Sequence, residues 1–270
     1  MRHAISILCR IGILAAALFG AGAPVAADTL RMGGVGAATK LLPHLFAAYG
    51  HDELDVIPSL GTGGGLRALA DGLLDVAVAG RPLEPQELAK GMTQAAAIRT
   101  PYGLITSHKT PVSLKSAEIA EIYKAPKATW PDGTPIRIIL RPKSDSDTAV
   151  LGGMFPNMTA AIEAARQHRE VPLAATDQDN AEMAEQMPGS LAGATFTQIK
   201  VEKRRVRFVS IDGIEPSLEN FERGVYPFAK TLYFVLPPTK NPAAERFLTF
   251  LHSPAGETAL RAAGSILLAN

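Results

Sequence analysis

One glycine-rich segment constrains this chain more than any other. Residues 58–69 read PSLGTGGGLRAL, so an apolar extended run breaks into glycines and resumes as a helical pattern near Gly64. Such a junction leaves the first N–H groups of the helix without partners at the positive end of its dipole, and glycines leave that backbone open to a ligand. The segment therefore predicts a seat for an anion, although glycines at such a connection also serve turn geometry alone.

The first third of the chain alternates between short strands and helices. The pattern predicts strands over 29–34, 54–59 and 75–80, and helices over 38–49, 64–73 and 84–91. This alternation indicates an α/β fold with largely parallel strands, in which ligands bind at the carboxyl ends of the strands. A second glycine-rich junction, residues 33–39, follows the first strand and supports the prediction of an anion site.

A third loop of this kind follows a strand predicted over 136–140. Residues 141–148 read RPKSDSDT and bring together one arginine, one lysine and three hydroxyl groups. Either Asp145 or Ser146 would be explained as the N-cap of the next helix, but capping does not explain the whole cluster. We expect Arg141 to be the principal ligand, because a guanidinium keeps its charge and its planar fork matches two oxyanion oxygens.

The rest of the chain continues the α/β pattern. Further helices are predicted over 116–125, 158–169, 177–186, 215–224, 241–252 and 254–264, and further strands over 204–210 and 231–236. A segment of small residues, 188–196, separates the two halves of this region.

The first 27 residues have the features of a secretory signal. Arg2 and Arg10 precede an apolar run over 11–23 and the small residues of 24–27, so we expect the mature chain to begin at Asp28. Cys9, the single cysteine, lies before the apolar run. A mature chain of this kind has no thiol chemistry, no disulfide and no cysteine-bound metal.

Charge and composition narrow the function further. Without the leader, 25 basic and 26 acidic side chains remain, and 47% of the whole sequence is hydrophobic. A near-neutral chain with a substantial core has no global field for nucleic acid or a membrane surface, so a charged ligand must be recognised locally. The histidines have no metal-ligand spacing. We therefore expect no metal, no cofactor and no nucleic-acid partner.

These segments, in their order and spacing, resemble the phosphate-type periplasmic substrate-binding proteins of ABC importers over almost the whole mature chain. The resemblance rests on residues 34–39, 61–65, 75–83, 119–136, Arg141 with 146–148, 188–196 and 224–227. It implies a two-lobed type II periplasmic-binding-protein fold whose lobes are discontinuous and joined by two hinge strands. Lobe 1 would comprise 28–103 and 227–270, and lobe 2 would comprise 104–226.

The resemblance implies a monomer in the periplasm that clamps a tetrahedral oxyanion, with phosphate first, between its lobes and delivers it to a membrane ABC permease. It implies no enzymatic activity. The residues expected to bind the anion are Ala38, Thr39, Thr62, Gly63, Gly64, Arg81, Arg141, Ser144, Ser146, Asp147 and Thr148.

Three positions depart from the family's pattern. Ala38 stands where Ser or Thr is usual, Asp147 stands where glycine is usual, and Arg81 stands where an aspartate often accepts the proton of phosphate. Asp147 could take over that acceptor role, which preserves phosphate, or it could cap a helix. In the second case, with Arg81 facing the cleft, sulfate, molybdate or tungstate would also fit.

Two other classes of function stay open. An anion-sensing or interaction protein could use the same fold, and a secreted hydrolase could use a glycine-rich oxyanion site. The sequence contains no Gly-x-Ser-x-Gly elbow, which argues against the hydrolase.

Overall fold

The computed structural model describes residues 28–110, 112–125 and 127–269. The expected leader, 1–27, lies outside the described residues. The strands are β1 (Thr29–Gly34), β2 (Glu53–Ile57), β3 (Val76–Ala79), β4 (Thr93–Thr106), β5 (Ser113–Leu114), β6 (Arg137–Ile138), β7 (Ser190–Thr195), β8 (Arg207–Phe208), β9 (Ser210–Ile211), β10 (Ala229–Leu236) and β11 (Ile266–Leu267).

The helices follow the strands closely in the chain. They are α1 (Leu41–Tyr49), α2 (Gly61–Ala70), α3 (Pro85–Ala89), α4 (Ser116–Lys124), α5 (Ser146–Met154), α6 (Met158–Ala165), α7 (Asp177–Gln186), α8 (Phe196–Val201), α9 (Leu218–Glu222), α10 (Pro242–Leu251) and α11 (Pro254–Ala263). A short 3-10 turn occupies Gly36–Ala38. In the described part of the chain, no helix combines the length and apolar content that a membrane span needs.

Most strands form one mixed sheet in the order β2-β1-β3-β10-β4-β7-β6, with β8 and β11 also paired to β4. Strand β1 is parallel to β2 and β3, whereas β10 is antiparallel to both β3 and β4. The α/β fold predicted from the sequence is confirmed, but the strands are not largely parallel as expected, because β4 pairs antiparallel with β7, β8, β10 and β11. The antiparallel return of β10 puts a late segment of the chain back among its first strands.

The core lies on both faces of this sheet, in two separate pairs of clusters. Along β3 and β10, Val78 and Phe234 pack under α1, α10 and α11, whereas Ala77 and Val235 face α2. Successive side chains of a strand point to opposite faces, so one strand serves both clusters. The second pair of clusters is drawn from residues 102–226 and is covered by α4, α5 and α6 on one face and by α7 and α8 on the other.

Strand β4 belongs to both halves of the sheet. Its residues 93–101 pair with β10, and its residues 102–105 pair with β7. A second crossing segment runs beside it, because Tyr226 Oη donates to the Tyr102 carbonyl at 2.8 Å and the Tyr102 N–H donates to the Phe228 carbonyl at 3.1 Å. The chain therefore passes between the two cores along two adjacent segments.

Several predicted elements differ in their bounds from the observed ones, among them two helices and one strand. The helix predicted over 38–49 is a 3-10 turn followed by α1, and the helix predicted over 64–73 begins three residues earlier, at Gly61. Ser59 and Gly61 both have positive φ, 56° and 67°, which turns the chain sharply and lets the helix start there. The strand predicted over 204–210 is divided into β8 and β9.

A buried ion pair joins the two halves. Lys230 on β10 contacts the Asp147 carboxylate on α5, and their side chains are only 1% and 3% exposed. Burial lowers the pKa of Lys230, but the carboxylates of Asp147, Asp177 and Asp145 outweigh that effect and raise its pKa overall. Lys230 therefore stays charged, and its removal would leave a carboxylate buried without its partner.

We expect Lys230→Met to lower the free energy of unfolding by about 3–5 kcal/mol, because breaking a buried pair strands the remaining charge. The double variant Lys230→Met with Asp147→Leu removes both charges and should be more stable than the single variant. Urea unfolding of the mature chain measures both. A double variant no more stable than Lys230→Met would show that packing, not charge, controls this contact.

Candidate anion-binding site

A cavity of about 310 Å³ lies between the two pairs of core clusters. Its wall contains residues from the three junctions that the sequence singled out and from the segment before α7: Val35, Gly36, Ser59, Leu60, Gly61, Thr62, Gly63, Gly64, Arg67, Arg141, Pro142, Ser144, Asp145, Ser146, Ala175, Thr176 and Asp177. The fold thus brings loops that are far apart in the chain to one place.

The N-terminus of α2 forms one wall of the cavity. No side chain caps this helix, and its first turn is built from glycines and Thr62. Since the first N–H groups of a helix have no partners within it, they remain donors at the positive end of the dipole. A Cβ at Gly65 would lie 2.7 Å from the Gly34 Cα, so contact between two glycines seats α2 against β1.

Hydroxyl groups add donors on both sides of the cavity. Thr62 Oγ1 accepts a hydrogen bond from the Gly80 N–H at 2.9 Å, which leaves its own proton free to donate. Ser144 and Ser146 also line the cavity, from the opposite half of the sheet.

Arg141 is buried beside the cavity and held in one orientation. Its side chain is 6% exposed, and its Nη1 donates to the Ala174 carbonyl at 2.7 Å. Its Nη2 lies 2.7 Å from Asp145 Oδ2 and 3.2 Å from Asp177 Oδ1. Its Nε is buried and has no partner among the described residues. The guanidinium is therefore rigid, and two carboxylates already compensate its charge.

Arg67 is a cavity residue that the sequence analysis missed. It lies in the second turn of α2, is exposed, and has no carboxylate within salt-bridge distance among the described residues. A Cβ at Gly63 would lie 3.3 Å from its Nη1, so the side chain folds back over the first turn. Long helical side chains lean toward the N-terminus, and this spacing was the signal that could have identified Arg67.

Six of the predicted residues line the cavity: Thr62, Gly63, Gly64, Arg141, Ser144 and Ser146. Five others lie elsewhere. The N–H groups of Ala38 and Thr39 are used within the 3-10 turn, donating to the carbonyls of Val35 and Gly36 at 3.1 and 2.9 Å. These two residues are therefore not free donors, contrary to the expectation from sequence.

Arg81, Asp147 and Thr148 are also placed outside the cavity wall. Arg81 forms a two-pronged ion pair with Glu87 at 2.8 and 2.9 Å, and its hydrogen bond lowers the pKa of that carboxyl. The Thr148 hydroxyl donates to the Pro142 carbonyl at 2.9 Å. Asp147 neither faces the cavity nor caps a helix with its side chain, because its carboxylate is paired with Lys230.

Asp177 is the second cavity residue that sequence reasoning missed. Its Oδ2 accepts a hydrogen bond from the Ala37 N–H at 2.8 Å, across 140 residues of sequence. In the sequence, Asp177 is one of the acidic residues in the first turn of α7 and follows the capping residue Thr176. Such a position gives no indication of a partner far away in the chain.

The chain belongs to the PBP superfamily, since residues 21–255 match the family model for the PBP superfamily domain. A comparison with curated proteins finds no match. The sequence-based assignment to a periplasmic-binding-protein fold is confirmed by this family match.

Solved structures give the same fold. A Clostridium perfringens protein described as a phosphate ABC transporter substrate-binding protein, with bound phosphate, has 16% identity and a TM-score of 0.73 over 90% of this chain and 100% of that one. The Azotobacter vinelandii periplasmic molybdate-binding protein has 13% identity and a TM-score of 0.62, over 89% and 100%. An ABC-type phosphate transport receptor from Vibrio cholerae has 13% identity and a TM-score of 0.58, over 89% and 100%.

The contact that seats α2 can be tested with a matched pair of glycine substitutions. We expect Gly65→Ala to lower the free energy of unfolding by about 1–3 kcal/mol, because its methyl group would overlap the backbone of Gly34. Gly63→Ala meets only the movable end of Arg67 and should leave stability unchanged or raise it by up to about 1 kcal/mol. Urea unfolding of both variants measures these changes. Equal losses in the free energy of unfolding would show that the contact between Gly65 and Gly34 does not position α2.

Proposed function

We propose that this chain is a periplasmic solute-binding protein that captures a tetrahedral oxyanion, with inorganic phosphate first, for delivery to a membrane ABC permease. The observation that carries the proposal is the uncapped glycine N-terminus of α2, which faces a cavity also bordered by Arg67 and Arg141. Backbone N–H groups, hydroxyls and guanidinium groups are the donors that proteins use for such ligands.

The donors are sufficient for binding without a metal. A hydrogen bond to a charged group contributes roughly 1.5–3 kcal/mol, whereas micromolar affinity corresponds to about 8 kcal/mol. The first turn of α2, the Thr62 hydroxyl, Arg67, Ser144 and Ser146 together exceed that requirement before the costs of ordering and desolvation are subtracted.

Phosphate is placed first because a carboxylate, Asp145, borders the cavity. A phosphate that carries an O–H can donate to a carboxylate oxygen, whereas a fully deprotonated sulfate, molybdate or tungstate would only be repelled by it. The relatives named for phosphate and for molybdate motivate comparing these anions directly.

The proposed lobes are residues 28–103 with 227–270, and residues 104–226. The two pairs of core clusters and the two adjacent crossing segments support this division. Closure of the lobes on the anion would create a surface that a permease recognises. The cavity is lined by residues of one chain, which is consistent with a monomer. The expected signal over 1–27 supports export to the periplasm.

Binding rather than catalysis is proposed for this cavity. A serine hydrolase with a histidine base is disfavoured, because no histidine is among the described residues that line the cavity, and both carboxylates there, Asp145 and Asp177, are paired with Arg141. An anion sensor would use the same cavity, and only the partner would distinguish it from an importer receptor.

Isothermal titration with phosphate, sulfate, molybdate and tungstate tests the function. We expect tight binding of phosphate, and Arg67→Gln should weaken it roughly 10-fold or more, since one charge-assisted hydrogen bond is lost. Arg81→Gln removes the same charge from an arginine paired with Glu87 outside the cavity and should change affinity little. No binding of any of the four anions by the unsubstituted chain, or equal losses in both variants, would overturn the proposal.

A further inference from the structure

The Asp177 side chain lies between the two cores, although it belongs to α7 of the second half. It is 5% exposed and borders the proposed anion cavity. Its Oδ2 accepts the Ala37 N–H at 2.8 Å, and its Oδ1 lies 3.2 Å from Arg141 Nη2. One backbone N–H and one guanidinium are the types of donor that an oxyanion ligand would use, and here a carboxylate of the chain already occupies them.

The neighbouring residue strengthens this bridge between the halves. Gln178 Nε2 donates to the Gly36 carbonyl at 2.9 Å, and the Ser59 hydroxyl donates to Gln178 Oε1 at 3.0 Å. A Cβ at Gly36 would lie 2.8 Å from the Cβ of Asp177, so only glycine allows the turn to approach this closely. The N-terminus of α7 is thus fitted to two loops of the other half.

The charge balance around Arg141 shows what this contact does. Asp145 lies four residues further along the chain and already pairs with the guanidinium at 2.7 Å. Asp177 is a second carboxylate on the same group, and it reaches Arg141 from another element. An arriving oxyanion would meet an arginine whose charge is already compensated and a loop N–H that is already bonded.

We propose that Asp177 is an internal anion, which holds the two halves together in the absence of ligand and competes with the incoming oxyanion for Arg141 and the Ala37 N–H. The competition rests on the proposed function of the cavity. Asp177 then limits the affinity for the oxyanion. The oxyanion binds only if its interactions with Arg141 and the Ala37 N–H are stronger than those of the Asp177 carboxylate, so its affinity is lower than these donors alone would give.

Neutralising Asp177 tests the competition. Asp177→Asn keeps the shape and an oxygen that accepts the Ala37 N–H, but it removes the charge beside Arg141. We expect isothermal titration to show phosphate binding at least fivefold tighter than in the unsubstituted chain. Unchanged or weaker binding would overturn the proposal, because it would mean that Asp177 is neutral to the ligand or assists it.

Asp179→Asn is the matched control. Asp179 lies in the same first turn of α7 and carries the same charge, but it is exposed, accepts the Thr176 N–H and does not border the cavity. We expect its phosphate affinity to stay within twofold of the unsubstituted chain. A gain equal to that of Asp177→Asn would overturn the proposal by assigning the effect to general charge.

Closure can be measured without any anion. The expected mature chain has no cysteine, so spin labels at Leu73→Cys and Glu182→Cys, both exposed and on different halves, report the distance between the halves. We expect Asp177→Ala to lengthen or broaden that distance in anion-free buffer, and Asp179→Ala to leave it unchanged. The same distance in all three would overturn closure by Asp177. A chain that binds none of the anions would overturn the proposed function, while the distance comparison would still decide the role of Asp177.

Discussion

The arrangement of the whole molecule depends on strand β4. Its first nine residues are hydrogen-bonded to β10 and its later residues to β7, so one continuous backbone fixes the direction of both halves of the sheet. The hydrogen bond from Tyr226 to the Tyr102 carbonyl ties the second crossing segment to the same point. Because the strands of each half are joined through the sheet to β4, the N-terminus of α2 and the loop that begins at Arg141 border the same cavity.

The second constraint is the pairing of buried charges beside the cavity. Lys230 pairs with Asp147, and Arg141 pairs with Asp145 and Asp177, all five side chains being largely buried. A buried charge without a partner costs several kcal/mol, so each group requires the others to remain in place. Three carboxylates oppose two cations here, and a further anion is therefore favoured only on the side of the cavity where α2 and Arg67 supply uncompensated positive potential.

The sequence was informative where the chemistry is local. Three features are visible within a few residues of sequence: glycines that begin a helix, an arginine followed by hydroxyls at a strand end, and the alternation of strands and helices. They predicted the α/β fold and placed Thr62, Gly63, Gly64 and Arg141 at the cavity. Ala38 and Thr39 were expected as donors because glycines precede them. A 3-10 turn uses their N–H groups instead, which residue types alone do not reveal.

Other placements depend on contacts that the sequence does not encode locally. Arg81 is drawn to Glu87, six residues away on α3, and Asp147 is drawn to Lys230, 83 residues away. Asp177 reaches Ala37 across 140 residues and looks in sequence like an ordinary acidic residue at a helix start. Ion pairs of this kind form only once the sheet order is set, so the same residue types fit either a ligand role or a structural one.

The donors around the cavity therefore form two groups that differ in what a ligand must displace. At α2 the first N–H groups have no side-chain cap, so an arriving anion does not have to displace a side chain from them. At Ala37 and Arg141 the donors are held by a carboxylate, and an arriving anion must exchange one anion for another. Initial capture would then take place at α2 and Arg67, where no carboxylate of the chain has to be displaced. Contacts with the Ala37 N–H and with Arg141 follow only if Asp177 moves, so the free energy of that second step is the difference between the binding of two anions to the same donors.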